Sequence, residues 1–191
     1  TPSLGGGSIV PATELDRDSI LFVPINGTGL GHLTRCLAVS RVVTSRSPEK
    51  DISYFTTSIA LPILHREGIP AYHLPPRSTH PDLDTGDWNR MLENNLHQVI
   101  QILKPNTFVF DGTMPYGGIR RVFSAYPKMK KIWIKRGLYR GNEIDAKLAK
   151  FVGDFDRIIV PGELASDFQK GALENKFDVD PIVLGERGHL L

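Results

Sequence analysis

At 191 residues the chain suits one large core rather than two small ones, since a domain of this size buries about 70% of its unfolded surface without staples. Hydrophobic residues at 40% and charged residues at 23% exclude a disordered or fibrous chain, and a formal charge of +2 excludes dependence on nonspecific nucleic-acid binding. No apolar run approaches the roughly 20 residues of a membrane helix, and the one cysteine, Cys36, excludes an internal disulfide framework and a zinc site built on several thiolates, which fits a reducing compartment.

The opening stretch, residues 1–18, carries GGG at 5–7 and Pro2 and Pro11 but no basic or apolar region of a signal peptide. It reads as a flexible lead-in or as the point where a longer protein was cut. From Ser19 onward, short β-branched or aromatic runs alternate with longer segments of helical spacing, the pattern of a parallel sheet with crossover helices. The strand runs are Ile20–Ile25, Ile52–Thr56, Ala71–Leu74, Thr107–Asp111, Lys131–Lys135 and Arg157–Val160, with a weaker one at Pro181–Leu184.

Leu33, Leu37, Val39 and Val43 mark a first helix, and Leu61, Ile63 and Leu64 a second that ends near Gly68. Residues 75–86, rich in Pro, Ser, Asp and Gly, read as a surface loop able to move. The strongest helix follows: Trp88, Leu92, Leu96, Val99, Ile100 and Leu103 fall on one face, and Lys104-Pro105 closes it. Shorter helices are expected after Tyr116, Asn142 and Leu164. The sum is an α/β chain, a Rossmann-like parallel sheet with helices on both faces, over residues 19–185.

The most informative segment is NGTGLGHLTR, Asn26–Arg35, between the first strand and the first helix. Glycines at 27, 29 and 31 let a backbone turn sharply and approach a ligand, and the helix that follows offers free N–H groups and the positive end of its dipole to an anion. A dinucleotide fingerprint needs a third glycine where His32 stands, and no Gly-Lys-Ser or Gly-Lys-Thr completes a Walker A loop. A tight strand-to-helix turn without a ligand remains the alternative. His32 favours a site, because open α/β sheets bind ligands at the carboxyl edge and an imidazole there can take a proton from a hydroxyl.

The string ILFVPINGTGLGHLTRCLAVSRVV resembles the first strand, glycine loop and first helix of the amino-terminal domain of GT-B glycosyltransferases, in the branch of the peptidoglycan UDP-N-acetylglucosamine transferase and the UDP-sugar-dependent transferases. The likeness rests on the G-x-G-x-G-H run and the small-apolar helix, and at fold level extends to about residue 185. It implies a two-domain enzyme of which 191 residues hold only the acceptor-side half. Residues 186–191 then begin the connection to a missing carboxyl-terminal donor domain, or are a cut chain end.

Parallel strands bring their carboxyl ends to one edge, which adds candidates. Asp111 ends its strand ahead of Gly112 and Thr113; it is either an Asx-type turn or helix cap or, as the resemblance implies, the aspartate that orients the catalytic histidine. Arg136 and Arg140, after the strand at 131–135, and Glu163, after the strand at 157–160, are candidates for a diphosphate or a sugar. Arg35, one turn into the first helix, is placed to assist an anion, and Cys36 reads as core filler. The run 128–140 holds six basic residues in thirteen; strand alternation makes it a solvated edge, and an anionic lipid surface is a better partner for it than nucleic acid.

The expected reaction moves a sugar from a nucleotide-sugar, UDP-linked by the resemblance, to an acceptor hydroxyl with inversion. His32 is the base and Asp111 its orienting partner; Gly27, Thr28, Gly29, Leu30, Gly31, Arg35, Thr113, Arg136, Arg140 and Glu163 bind substrate. The expectation includes no metal and no cofactor beyond that co-substrate, no nucleic acid, and a cytoplasmic place with peripheral membrane contact. The alternatives are a sugar-nucleotide epimerase or hydrolase of the same fold, and a noncatalytic module that binds a glycan or anion.

Overall fold

The computed structural model describes residues 18–25, 30–135, 150–162 and 176–185. Its elements in chain order are β1 (Ser19–Pro24), α1 (Gly31–Arg46), β2 (Asp51–Thr56), α2 (Leu61–Arg66), β3 (Ala71–His73), α3 (Thr85–Leu103), β4 (Thr107–Asp111), α4 (Gly117–Ala125), β5 (Lys130–Ile134), β6 (Arg157–Pro161) and β7 (Lys176–Val179). The seven strands form one sheet in the order β3-β2-β1-β4-β5-β6-β7. Every pairing is parallel. The chain winds outward from β1 to β3, returns to the other side of β1, and continues from β4 to β7. The order therefore reverses between β1 and β4, where a doubly wound sheet opens its crevice.

Strand alternation divides the core in two. Leu21, Val23, Phe108 and Phe110 face α3 and α4, packing on Trp88, Leu92, Leu96, Ile119 and Val122. Phe22, Val109 and Ile134 face α1 and α2, packing on Leu33, Cys36, Leu37 and Leu64. The buried stripe of α1 runs through Leu33, Cys36, Leu37 and Ser40, while Val39 and Val43 lie only partly covered. Ser40 tolerates burial because Tyr54 Oη donates to its hydroxyl at 2.8 Å and Ser40 donates to the Leu37 carbonyl at 3.1 Å.

The expected long helix is α3. Asp84 caps it by accepting from the Asp87 N–H at 2.8 Å, worth about 1 kcal/mol, and Lys104 ends it in the left-handed conformation at φ 47° before Pro105. Helix α4 lies close against α3 because residue 118 is glycine: a Cβ there would stand 2.5 Å from the Asn89 carbonyl oxygen.

Three expectations change. The weak strand at Pro181–Leu184 is irregular, and the final strand is β7, five residues earlier. Proline supplies no N–H to a ladder, whereas Lys176–Val179 alternates charge and apolar side chains as an exposed edge does. The loop at 75–86 contains a 3-10 turn, Arg77–Thr79, and its last two residues already belong to α3. The basic run is not a solvated edge, because β5 lies between β4 and β6. Lys131 and Lys135 are buried, Lys131 donating to the Pro127 carbonyl at 3.2 Å, while Lys128 and Lys130 are exposed. Of the helix expected after Asn142 only residues 150–152 are described, and they are helical; the one expected after Leu164 lies outside the described residues. Among the described residues no helix is long and apolar enough to cross a membrane.

Candidate active site

Register and alternation carry Asp111 to the switch point. It pairs with Pro24 across the β1–β4 ladder, and its carbonyl accepts from the Ile25 N–H at 3.0 Å, one residue beyond the end of β1. Two residues on from Val109, its side chain falls on the face covered by α1. That helix starts at Gly31, so His32, Arg35 and Cys36, at i, i+3 and i+4, line one side of its first turns.

The four side chains meet. His32 Nδ1 lies 2.5 Å from Asp111 Oδ1. Arg35 donates from Nε to Oδ2 at 2.7 Å and from Nη2 to Oδ1 at 2.8 Å, and Nη2 is 3.1 Å from His32 Nδ1. Cys36 Sγ is 3.9 Å from Oδ2. Asp111 is fully buried, whereas the His32 and Arg35 side chains keep 13% and 12% of their exposure. The site is thus a closed carboxylate beneath an imidazole that still reaches the surface. Burial first, and then the neighbouring Asp111 charge, pushes the Cys36 thiol well up, so it stays protonated.

Of the other anticipated residues, Leu30 and Gly31 stand at the start of α1 and both are exposed. The space over Gly31 is open: a Cβ there would meet nothing within 4 Å, and its φ is not positive, so steric need does not explain this glycine. Thr113 is exposed two residues beyond Asp111 and has no hydrogen bond to the cluster. Gly27, Thr28, Gly29, Arg136, Arg140 and Glu163 lie outside the described residues. Arg35, expected to meet an anionic ligand, holds Asp111 with two donors. Its position three residues after His32 was the signal for that partnership. Lys135, at the same edge beyond β5, is buried with Nζ 5.7 Å from the Trp133 ring centre. Trp133 in turn donates from Nε1 to the Gly112 carbonyl at 2.9 Å, pinning the turn after Asp111.

A cavity of about 620 Å³ opens elsewhere, between the end of α3 and the turn into β5, lined by Ile100, Pro105, Tyr126 and Met129. It lies at the amino end of β4 and β5, so it is separate from the cluster at the carboxyl end.

An all-parallel, doubly wound sheet with a histidine and an aspartate joined at its switch point defines a Rossmann-like α/β domain with its candidate site at the carboxyl edge. Comparison with solved structures gives the fold more narrowly as that of a GT-B amino-terminal domain. The chain is similar to the MurG of Acinetobacter baumannii, with a TM-score of 0.61 at 14% identity, over 90% of this chain and 47% of that one. It is also similar to a UDP-N-acetylglucosamine 2-epimerase, with a TM-score of 0.58 at 14% identity, over 85% of this chain and 48% of that one. A third likeness is to the UDP-GlcNAc 2-epimerase of Neisseria meningitidis bound to UDP-GlcNAc, with a TM-score of 0.53 at 14% identity, over 74% and 40%. The chain spans about half the length of these proteins or less. No protein-family model matches it. No curated protein matches its sequence.

Proposed function

We propose that this chain is the acceptor-side half of an inverting glycosyltransferase that moves a sugar from a nucleotide-sugar to an acceptor hydroxyl. The observation that carries the reading is the 2.5 Å approach of His32 Nδ1 to the buried Asp111 carboxylate, at the sheet edge where ligands bind. His32 Nε2 takes the acceptor proton as the acceptor oxygen bonds to the anomeric carbon. The bond from that carbon to the diphosphate breaks, and the diphosphate leaves with the electron pair. Asp111 orients the imidazole and stabilises the imidazolium. Leu30 and Gly31, at the start of α1, meet the anionic parts of the substrates, and a second domain supplies most of the donor site. The UDP-GlcNAc bound to one fold neighbour, the 2-epimerase of Neisseria meningitidis, supports a UDP-sugar as co-substrate.

The likeness to 2-epimerases supports a second reading, a sugar-nucleotide epimerase or hydrolase in which a carboxylate acts on the sugar. Asp111 does not suit that task, since both its oxygens are engaged by Arg35 and His32 and it has no exposure. Nucleotide release by the full-length protein, with and without a panel of hydroxyl acceptors, separates the two. Acceptor-dependent release that falls in His32→Ala supports transfer; release that needs no acceptor or survives the substitution rejects it.

A further inference from the structure

Among the described residues His32 Nδ1 has two polar neighbours and can satisfy only one of them. Asp111 Oδ1 is 2.5 Å away and Arg35 Nη2 is 3.1 Å away. With a proton on Nδ1 the ring donates to the carboxylate. With a lone pair there it accepts from the guanidinium and sets two lone pairs against each other across 2.5 Å. The choice depends on whether Asp111 is ionised. An ionised carboxylate only accepts, whereas a protonated one can donate to Nδ1 and drive the ring proton to Nε2. Asp111 is fully buried, and a carboxylate out of water needs a counter-charge and hydrogen-bond donors on its oxygens.

Arg35 supplies that counter-charge. Its guanidinium is always protonated, and its paired donors at 2.7 Å and 2.8 Å match the two carboxylate oxygens in the fork geometry that a lysine cannot reproduce. Cys36, a third polar neighbour of Asp111 among the described residues, is a protonated thiol and reinforces the acceptor role of Oδ2.

We propose that Arg35 is a positioning residue: by pairing its fork with both oxygens of the Asp111 carboxylate and fixing them in place, it sets the ring proton of His32 on Nδ1 and leaves Nε2 as the basic nitrogen. Arg35 acts through Asp111 and need not touch the substrate. The bearing on catalysis rests on the reading of His32 as the base; the placement of the proton does not.

The test is a long-range proton–nitrogen correlation spectrum of the chain labelled with 15N-histidine, with His32 assigned by its loss in His32→Gln. In the wild-type protein at neutral pH, His32 is expected as the Nδ1–H form. Arg35→Met is expected to shift it to the Nε2–H form, and Arg35→Lys, which keeps the charge, to retain Nδ1–H. An Nε2–H ring in the wild type, or an unchanged ring in a folded Arg35→Met, overturns the proposal. If Arg35→Met does not fold, the wild-type and Arg35→Lys spectra decide it, Nε2–H in either being fatal. In the full-length protein, the methionine variant is expected to lower kcat at least tenfold with the acceptor KM unchanged, and the lysine variant to recover part of it. If the wild type shows Nδ1–H but transfers no sugar, the glycosyltransferase reading fails and the role of Arg35 stands.

Discussion

Asp111 and Arg35, 76 residues apart in the chain, form a two-point ion pair on the inner side of the sheet's carboxyl edge, with bonds of 2.7 Å and 2.8 Å. Neither charge would be stable at such burial alone, so the pair holds α1 to β4 as well as shaping the site.

Asp111→Asn tests that double role. It keeps the size of the side chain but removes the charge that compensates Arg35, and breaking a buried pair from one side costs about 3–5 kcal/mol. At a urea slope of about 1–3 kcal/mol/M, the expected outcome is an unfolding midpoint lowered by about 1 M or more with unchanged slope, together with loss of acceptor-dependent nucleotide release in the full-length protein. A variant as stable as wild type contradicts the pairing.

Cys36 is expected to be inert in the folded chain. It is fully buried, and burial together with the Asp111 charge keeps it a thiol, while the thiolate is the reactive form. Ellman's reagent at pH 8 should leave it unmodified for as long as the protein is folded and titrate one thiol after addition of denaturant. Rapid labelling of the native protein contradicts its placement.

Tyr54 makes the protein sensitive to alkali. Its phenol is pushed well above its ordinary value of 10.0, first by burial. The sign follows from linkage: the unfolded chain releases this proton at a lower pH than the folded one, so the stability involved is full below about pH 10 and is lost as the pH rises beyond it. Tyr54→Phe removes this dependence. It leaves Ser40 bonded to the Leu37 carbonyl and the stack on Phe22 at 5.2 Å available to the new ring, so the cost at neutral pH is about 1 kcal/mol. Thermal melts from pH 7 to 11 should therefore show a shallower alkaline decline in the variant than in the wild type.

Gly118→Ala should force α4 away from α3, because the added methyl carbon would lie 2.5 Å from the Asn89 backbone oxygen and 3.2 Å from the Glu93 nitrogen. Overpacking of this kind costs about 1–3 kcal/mol. At about 2–4 °C per kcal/mol for a chain of this length, the melting temperature should fall by about 2–12 °C. The same substitution at Gly31, where nothing lies within 4 Å, is expected to leave it nearly unchanged.

Most of the sheet is legible in the sequence. Runs such as Thr107–Asp111 are apolar on both faces, as strands covered by helices on two sides must be, and the α3 face repeats at helical spacing over about four turns. The edge was harder to read. Lys176–Val179 carries two charges in four residues and gains its strand conformation from pairing with β6 rather than from its own composition. The lysines of β5 misled for the opposite reason, since a basic strand looks like an edge until another strand is known to cover it.

His32 and Asp111 could each be picked out from local pattern: a histidine after a glycine loop, and an aspartate ending an apolar strand. Hydrophobic spacing and turn residues also sufficed for the α/β class, because those signals act between near neighbours. The coupling of Arg35 to the carboxylate, the closure of that carboxylate from water and the interior place of β5 are different in kind. Each depends on which strand lies beside which and on the register between them, and those are settled by packing between segments far apart in the chain.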